Sequence, residues 1–177
     1  MNLKGSQTEK NLYKTFAGES RARNKYTLYA EKAECEGYRW IAQVFAITAD
    51  NEKAHAREAF CKYLSKCGCT EENLEDSLKG EIEESTNIYK DFEKTARDEG
   101  FEDIADFYKE LQEVEAYHAK RFKNILEKVK ENKIFKSSKD SLWQCMNCGY
   151  IYEGDEAPKY CPLCKFPRSY FKPVCKK

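Results

Sequence analysis

The chain has 177 residues, room for one ordinary domain and a small second one. Its 31 basic residues balance 31 acidic ones, so the formal net charge is zero. That balance argues against nucleic acid or a membrane surface as a partner held by bulk charge. No stretch approaches the roughly 18 apolar residues that span a bilayer. Met1 to Lys10 is polar and lacks an apolar signal core, so a cytoplasmic location is expected. Nine cysteines would mean disulfides in a secreted chain. In a cytoplasmic one, C-x-x-C pairs point to metal or redox chemistry.

The periodicity predicts four helices. The first spans about Ser6 to Glu36, with Leu12, Phe16, Glu19, Tyr26, Ala30 and Ala33 on one face, and Gly37 stops it. The second spans about Tyr38 to Lys66, with Ile41, Phe45, Thr48, Glu52, His55 and Ala59 inward, and breaks at Cys67-Gly68-Cys69. The third starts near Thr70, where Glu71 and Glu72 suit the helix dipole, and runs to about Glu99 before Gly100. The fourth has the cleanest seam: Ile104, Tyr108, Leu111, Glu115, His118, Phe122, Ile125 and Val129. Its steps of three and four suit an antiparallel bundle.

These apolar seams are interrupted by Glu19, Glu52, His55, Glu81, Glu84, Glu115 and His118. The chain has two histidines, and each closes an E-x-x-H tetrad, Glu52 to His55 and Glu115 to His118. Residues three apart share a helix face, so each tetrad aims a carboxylate and an imidazole the same way. Unpaired carboxylates in a core are costly, so five converging ones call for cations. Glu19 stands 33 residues before the first tetrad and Glu81 stands 34 before the second. Helices one and two therefore read as a copy of helices three and four, each half carrying a lone glutamate plus an E-x-x-H. Ferritin-like di-iron and di-manganese bundles share that arrangement. One imidazole per ion among carboxylates suits iron or manganese. Glu84 has no partner in the first half, where Ala22 holds the equivalent place. An extra negative charge there would favour the oxidised pair.

Past Val129 the composition turns basic and serine-containing. The expected organisation is a helical domain over residues 1–132, a linker over 133–141 and a small module over 142–177. In the module Cys145-x-x-Cys148 is followed by Cys161-x-x-Cys164, a spacing that can build a four-thiolate site. A module this small needs such a staple. The spacing alone leaves iron and zinc open. Cys35, Cys61, Cys67, Cys69 and Cys175 are expected as free thiols.

Cys145-Met-Asn-Cys148-Gly-Tyr-Ile-Tyr152, then Ala157-Pro158-Lys-Tyr-Cys161-Pro-Leu-Cys164, is similar to the rubredoxin portion of the rubrerythrin family. With the two tetrads, the resemblance covers essentially the whole chain. It implies an all-α ferritin-like four-helix bundle joined to a metal-stapled, β-rich rubredoxin-like domain. It implies one iron at Cys145, Cys148, Cys161 and Cys164 and a di-iron pair at the seven glutamates and histidines. Glu52 and Glu115 would bridge, Glu19 and Glu81 would be terminal, and Glu84 and His55 would exchange at one iron with oxidation state. Tyr26 and Tyr89 match family tyrosines beside that site. The implied function is a non-haem di-iron peroxidase, reducing hydrogen peroxide to water with electrons relayed through the four-cysteine iron. The donor would be a rubredoxin or a separate NAD(P)H-dependent reductase, because this chain has no G-x-G-x-x-G fingerprint. A homodimer or higher homo-oligomer is expected. The alternatives are a ferroxidase or iron-binding protein, and a non-enzymatic module with zinc on its cysteines.

Overall fold

The computed structural model describes residues 2–137 and 141–174, so Cys175 and residues 138–140 of the expected linker lie outside the described residues. It divides into two compact units, one ending at Cys69 and one beginning at Thr70. Helices are followed by a small sheet, the fold class that the sequence implies.

The first unit is a helical pair, α1 (Gln7–Cys35) and α2 (Arg39–Arg57). Ser6 caps α1 by accepting the Glu9 N–H at 3.0 Å, and Glu9 reaches back to the Gly5 N–H. The turn out of α1 is a Schellman closure: Tyr38 N–H bonds Ala33 O and Gly37 N–H bonds Glu34 O. Gly37 sits at φ 84°, a left-handed conformation that L side chains resist. The second unit opens with α3 (Thr70–Glu83) and α4 (Tyr89–Asp98), which pack on α5 (Glu102–Lys130). Its turn repeats the first: Phe101 N–H bonds Ala96 O, Gly100 N–H bonds Arg97 O, and Gly100 has φ 82°.

The two predicted long helices are not regular throughout. A π-helical turn, Glu58–Tyr63, continues α2, and a second one, Glu84–Ile88, joins α3 to α4. A π turn accommodates one extra residue in a helix without breaking it. The internal repeat records both insertions. The offset between equivalent residues is 62 from Glu19 to Glu81, 63 from Tyr26 to Tyr89 and from His55 to His118, and 62 again from Leu64 to Leu126. The changes fall at the two π turns. At the second, the Ser85 and Thr86 hydroxyls donate to the Glu81 and Ile82 carbonyls at 2.8 and 2.7 Å. Those carbonyls then have a side-chain donor inside the helix, the kind of back-bonding that bends a helix.

The repeat extends to packing. Ala33, Ala42 and Ala56 are buried in the first pair, and their equivalents Ala96, Ala105 and Ala119 are buried in the second. Small residues at these places let the helix axes approach closely. Even the ion pair beside the turn recurs, with its signs exchanged: Arg39 meets Glu34, and Arg97 meets Glu102.

The small sheet has the order β2–β1–β3, all antiparallel, built from β1 (Leu142–Cys145), β2 (Ile151–Glu153) and β3 (Phe171–Val174). Its core is Trp143, Cys145, Ala157, Cys161 and Phe171. Trp143 Nε1 donates to Gly154 O at 3.0 Å, so its buried polar atom is satisfied. Phe135 to Ser137, within the stretch read as linker, is fastened to this module. Ala157 N–H bonds Phe135 O, and Ser137 N–H bonds Asp155 O.

Candidate metal centres

Three side-chain groups have the donors and spacing to hold a cation: Glu19, Glu52 and His55; Glu81, Glu115 and His118; and Cys145, Cys148, Cys161 and Cys164. Within each group one ligand atom per residue lies within 4.8 Å of the others.

In the first unit, His55 Nδ1 lies 2.9 Å from Glu52 Oε2 and 3.6 Å from Glu19 Oε2. In the second, His118 Nδ1 lies 2.7 Å from Glu115 Oε2 and 3.4 Å from Glu81 Oε2. The contacts are the same, one turn of E-x-x-H on one helix meeting one glutamate from the helix beside it. Burial differs. His55 is 61% exposed and His118 is 31% exposed. Glu81 Oε2 is a buried oxygen without a hydrogen bond. Loss of solvation raises the Glu81 carboxyl above its ordinary range; the neighbouring Glu115 raises it further, and His118 opposes both. Two carboxylates drawn together with no lysine or arginine among them are a strained arrangement for a metal-free protein and a suitable one for a cation. The donor set, hard oxygens with one imidazole, fits iron or manganese.

Glu84 belongs to neither group. It opens the second π turn, half-buried. Its charge, with those of Glu115 and Glu81, adds to the effect of burial in pushing the Tyr89 hydroxyl above its usual range. Glu84 and Tyr89 therefore border the second group electrostatically. Tyr89 stacks on Tyr108 with ring centroids 6.0 Å apart, and Tyr26 stacks on Phe45 at 6.2 Å, the equivalent pair in the first unit. One contributor was missed by sequence reasoning. Gln112 lies one turn before Glu115 and donates to Glu93 at 2.9 Å and to Tyr89 O at 3.3 Å, tying α5 to α4. Its first-unit equivalent is the buried Ala49. That break in the repeat was the available signal.

The four cysteines come from two matching loops. Cys145 N–H bonds Tyr150 O and Gly149 N–H bonds Cys145 O; Cys161 N–H bonds Phe166 O and Lys165 N–H bonds Cys161 O. Gly149 and Lys165 hold the same left-handed place, at φ 79° and 62°. Cys145 Sγ to Cys164 Sγ and Cys148 Sγ to Cys161 Sγ are both 3.7 Å. Four sulfurs about 2.3 Å from one ion would form a tetrahedron with edges of roughly 3.8 Å, so the cluster fits a single metal. Its protons divide unevenly. The Phe166 N–H is the main cause bringing Cys164 down to about 6. Cys148 is favoured as a thiolate by the Tyr150 N–H, yet lost solvation and hydrogen bonds with the other sulfurs push it up to about 12. Four thiolates at one point need a cation to balance them.

Cys61 and Cys67 correct the expectation of free thiols, since they are joined by a disulfide. The first π turn and the bend after it bring their Cα atoms to 4.7 Å, within bonding range.

The family model described as "Rubrerythrin" matches residues 10–72 and 72–144, and "Rubrerythrin, rubredoxin-like domain" matches 143–172. The chain belongs to the rubrerythrin family. It is 43% identical to Rubrerythrin-1 of Clostridium acetobutylicum, covering 97% of this chain and 96% of that one. It is 41% identical to rubrerythrin of Porphyromonas gingivalis, covering 98% and 92%. Among solved structures it is similar to nigerythrin in a partially reduced state, at 27% identity over 96% of this chain and 87% of that one, with a TM-score of 0.38. The rubrerythrin match identifies the helical region as ferritin-like and the sheet as rubredoxin-like.

Proposed function

We propose that this chain is a non-haem di-iron peroxidase that reduces hydrogen peroxide to water. The observation that carries the reading is the pairing of two Glu, Glu, His groups in the helices with one four-thiol cluster in the sheet module. Membership of the rubrerythrin family supports iron at all three. In this reading Glu19, Glu52, His55, Glu81, Glu84, Glu115 and His118 ligate two irons, and the cysteines ligate a third. Reduction of one peroxide takes two electrons and two protons, and a ferrous pair, when bound, supplies the electrons at once.

The protein's own groups do the rest. Each carboxylate pair offsets cationic charge, and each imidazole is held by its tetrad glutamate so that Nδ1 faces the carboxylates. Tyr89 keeps its proton, because burial and three carboxylates oppose ionisation, and so stays a hydrogen-bond donor beside the second group. In the small module, Cys145 and Cys161 are fully buried while Cys148 is exposed and Cys164 half-buried. This gives the cluster an outer side at which a one-electron donor would dock, a rubredoxin or an NAD(P)H-dependent reductase. No helix among the described residues is long and apolar enough to cross a membrane. Exposed Trp40, Ile47, Phe107 and Tyr117 support self-association into a dimer or larger oligomer.

Stopped-flow mixing tests the reading. The reduced protein should recover its di-iron absorption faster with hydrogen peroxide than with dioxygen. Equal or slower recovery with peroxide would contradict it.

A further inference from the structure

The first unit holds a hollow whose lining is only partly repeated in the second. It has a volume of about 300 Å³ and lies between α1 and α2, and its lining includes Ser20, Arg23, Asn24, Lys53, Arg57 and Cys61. Three of these are cations. Among the described residues no carboxylate lies within ion-pair distance of Arg23, Lys53 or Arg57. Glu58, the acid adjacent to Arg57 in sequence, is taken up by Lys62 at 2.9 Å. Arg23 is also half-buried, so its charge is only partly solvated. Glu58 feels Arg57 only through space, and like charges gathered around one hollow without an ion-paired acid favour an anion there. In the second unit the equivalent residues are Ile82 for Ser20, Ser85 for Arg23, Ala116 for Lys53, Lys120 for Arg57 and Lys123 for Cys61. The packing alanines are kept across the repeat, as is a cation at the Arg57 place, but Arg23 and Lys53 are not. Those two cations are therefore not required by the helical pair itself.

The wall of the hollow also carries a reactive bond. Cys61 lines it and is half-buried, whereas its disulfide partner Cys67 is exposed. A nucleophile held in the hollow would meet the Cys61 sulfur, and the leaving Cys67 thiolate would emerge into water, where it is solvated. Thiol–disulfide exchange depends on access to one sulfur and on a stable leaving thiolate.

We propose that this hollow binds an anionic low-molecular-weight thiol, whose carboxylates or phosphates are held by Arg23, Lys53 and Arg57 while it reduces the Cys61–Cys67 disulfide. The bound thiolate attacks Cys61 Sγ and forms a mixed disulfide. The Cys61–Cys67 bond breaks, and its electron pair leaves on Cys67, which takes a proton from water. A second thiolate attacks the sulfur of the first, releasing the small disulfide and the Cys61 thiolate. Two thiols are oxidised and one protein disulfide is reduced.

The test uses the full-length, metal-loaded protein at low ionic strength. It is mixed with glutathione, which carries carboxylates, coenzyme A, which carries phosphates, neutral 2-mercaptoethanol or cationic cysteamine, at matched thiolate concentrations. Alkylation and mass spectrometry of the Cys61 and Cys67 peptides then give the rate of reduction. At least one anionic thiol should outrun 2-mercaptoethanol by about tenfold, the lower end of electrostatic steering, and cysteamine should be slowest. A preference for glutathione alone assigns the site to carboxylates, and one for coenzyme A alone assigns it to phosphates. The double substitution Arg23→Ser/Lys53→Ala, which copies the second unit at those two places, should erase the preference, slowing the anionic thiols far more than 2-mercaptoethanol, whose thiolate carries a single charge. Circular dichroism of the variant checks that its helices are intact. Equal rates for all four thiols, a preference that survives the double substitution, or alkylation of Cys61 and Cys67 before any thiol is added would overturn the proposal.

Discussion

The two helical pairs carry the same side chains at their metal groups and differ in how those side chains are held. Both present two glutamates and one histidine with Nδ1 within 3.6 Å of both carboxylates. In the second pair the histidine is half as exposed and one carboxylate oxygen is orphaned. Glu84 enters on a π turn, and Gln112 braces α5 against α4. In the first pair the π turn lies downstream of the Glu, Glu, His group, Ala22 stands in the place of Glu84 and Ala49 in that of Gln112. The two halves share the donor set and differ in where the π turn falls and in the residues beside the donors. A repeat can thus keep one Glu, Glu, His group in both halves while the electrostatics around it differ.

The comparison breaks most severely when a ligand is removed. Glu52→Ala and Glu115→Ala should each lower metal occupancy of the helical groups and peroxide turnover by about 100-fold or more. Loss of a mere supporting residue around a metal already costs 10- to 100-fold. Metal analysis with a steady-state peroxidase assay checks this, and the rubredoxin-like spectrum should persist in both variants.

Deleting Ser85 is the next largest change. It removes the extra residue of the second π turn and gives the second half the first half's spacing. The helix should then run regularly and displace Glu84. We expect turnover to fall by about tenfold while thermal stability rises, the usual exchange when a strained functional feature is regularised. Calorimetry and the same assay read both effects.

A smaller effect separates the halves by pH. In metal-free protein Glu81 has a folded-state carboxyl above its unfolded value, burial being the first cause. Its contribution to stability is therefore fully present below the ordinary glutamate value and is lost as pH rises through the raised value. Glu81→Gln should remove that loss, so denaturant midpoints of metal-free wild type and variant should diverge upward from about pH 4.5. Metal should abolish the difference.

The turns should respond alike. Gly37→Ala and Gly100→Ala each force a side chain into the left-handed region and should each cost about 1 kcal/mol. Unequal costs in urea titrations would show that the equivalence of the two turns is only local.

Much of this was legible in the sequence. Histidines at E-x-x-H spacing inside apolar seams mark both ligand groups, because charged residues at core positions need a reason. Paired C-x-x-C spacings mark the thiolate cluster, and Gly37 and Gly100 mark the turns. The π turns were not read, because apolar periodicity tolerates one inserted residue over a few turns. The difference between 33 and 34 residues from lone glutamate to tetrad was the trace of the second one. The Cys61–Cys67 disulfide was missed for the same reason, since the first π turn sets the geometry that brings those residues together. Gln112 was hidden because a glutamine beside a seam looks like an ordinary solvated side chain until its partners are seen.

In the proposed function the paired Glu, Glu, His groups hold iron separately from the cysteines. Iron per chain, measured in wild type and in a Glu52→Ala/Glu115→Ala double variant, tests it most directly. The wild type should hold about three irons and the variant about one, the remaining one giving the red absorption of a four-thiolate ferric site. A wild type with a single iron, or a double variant that keeps all three, would contradict it.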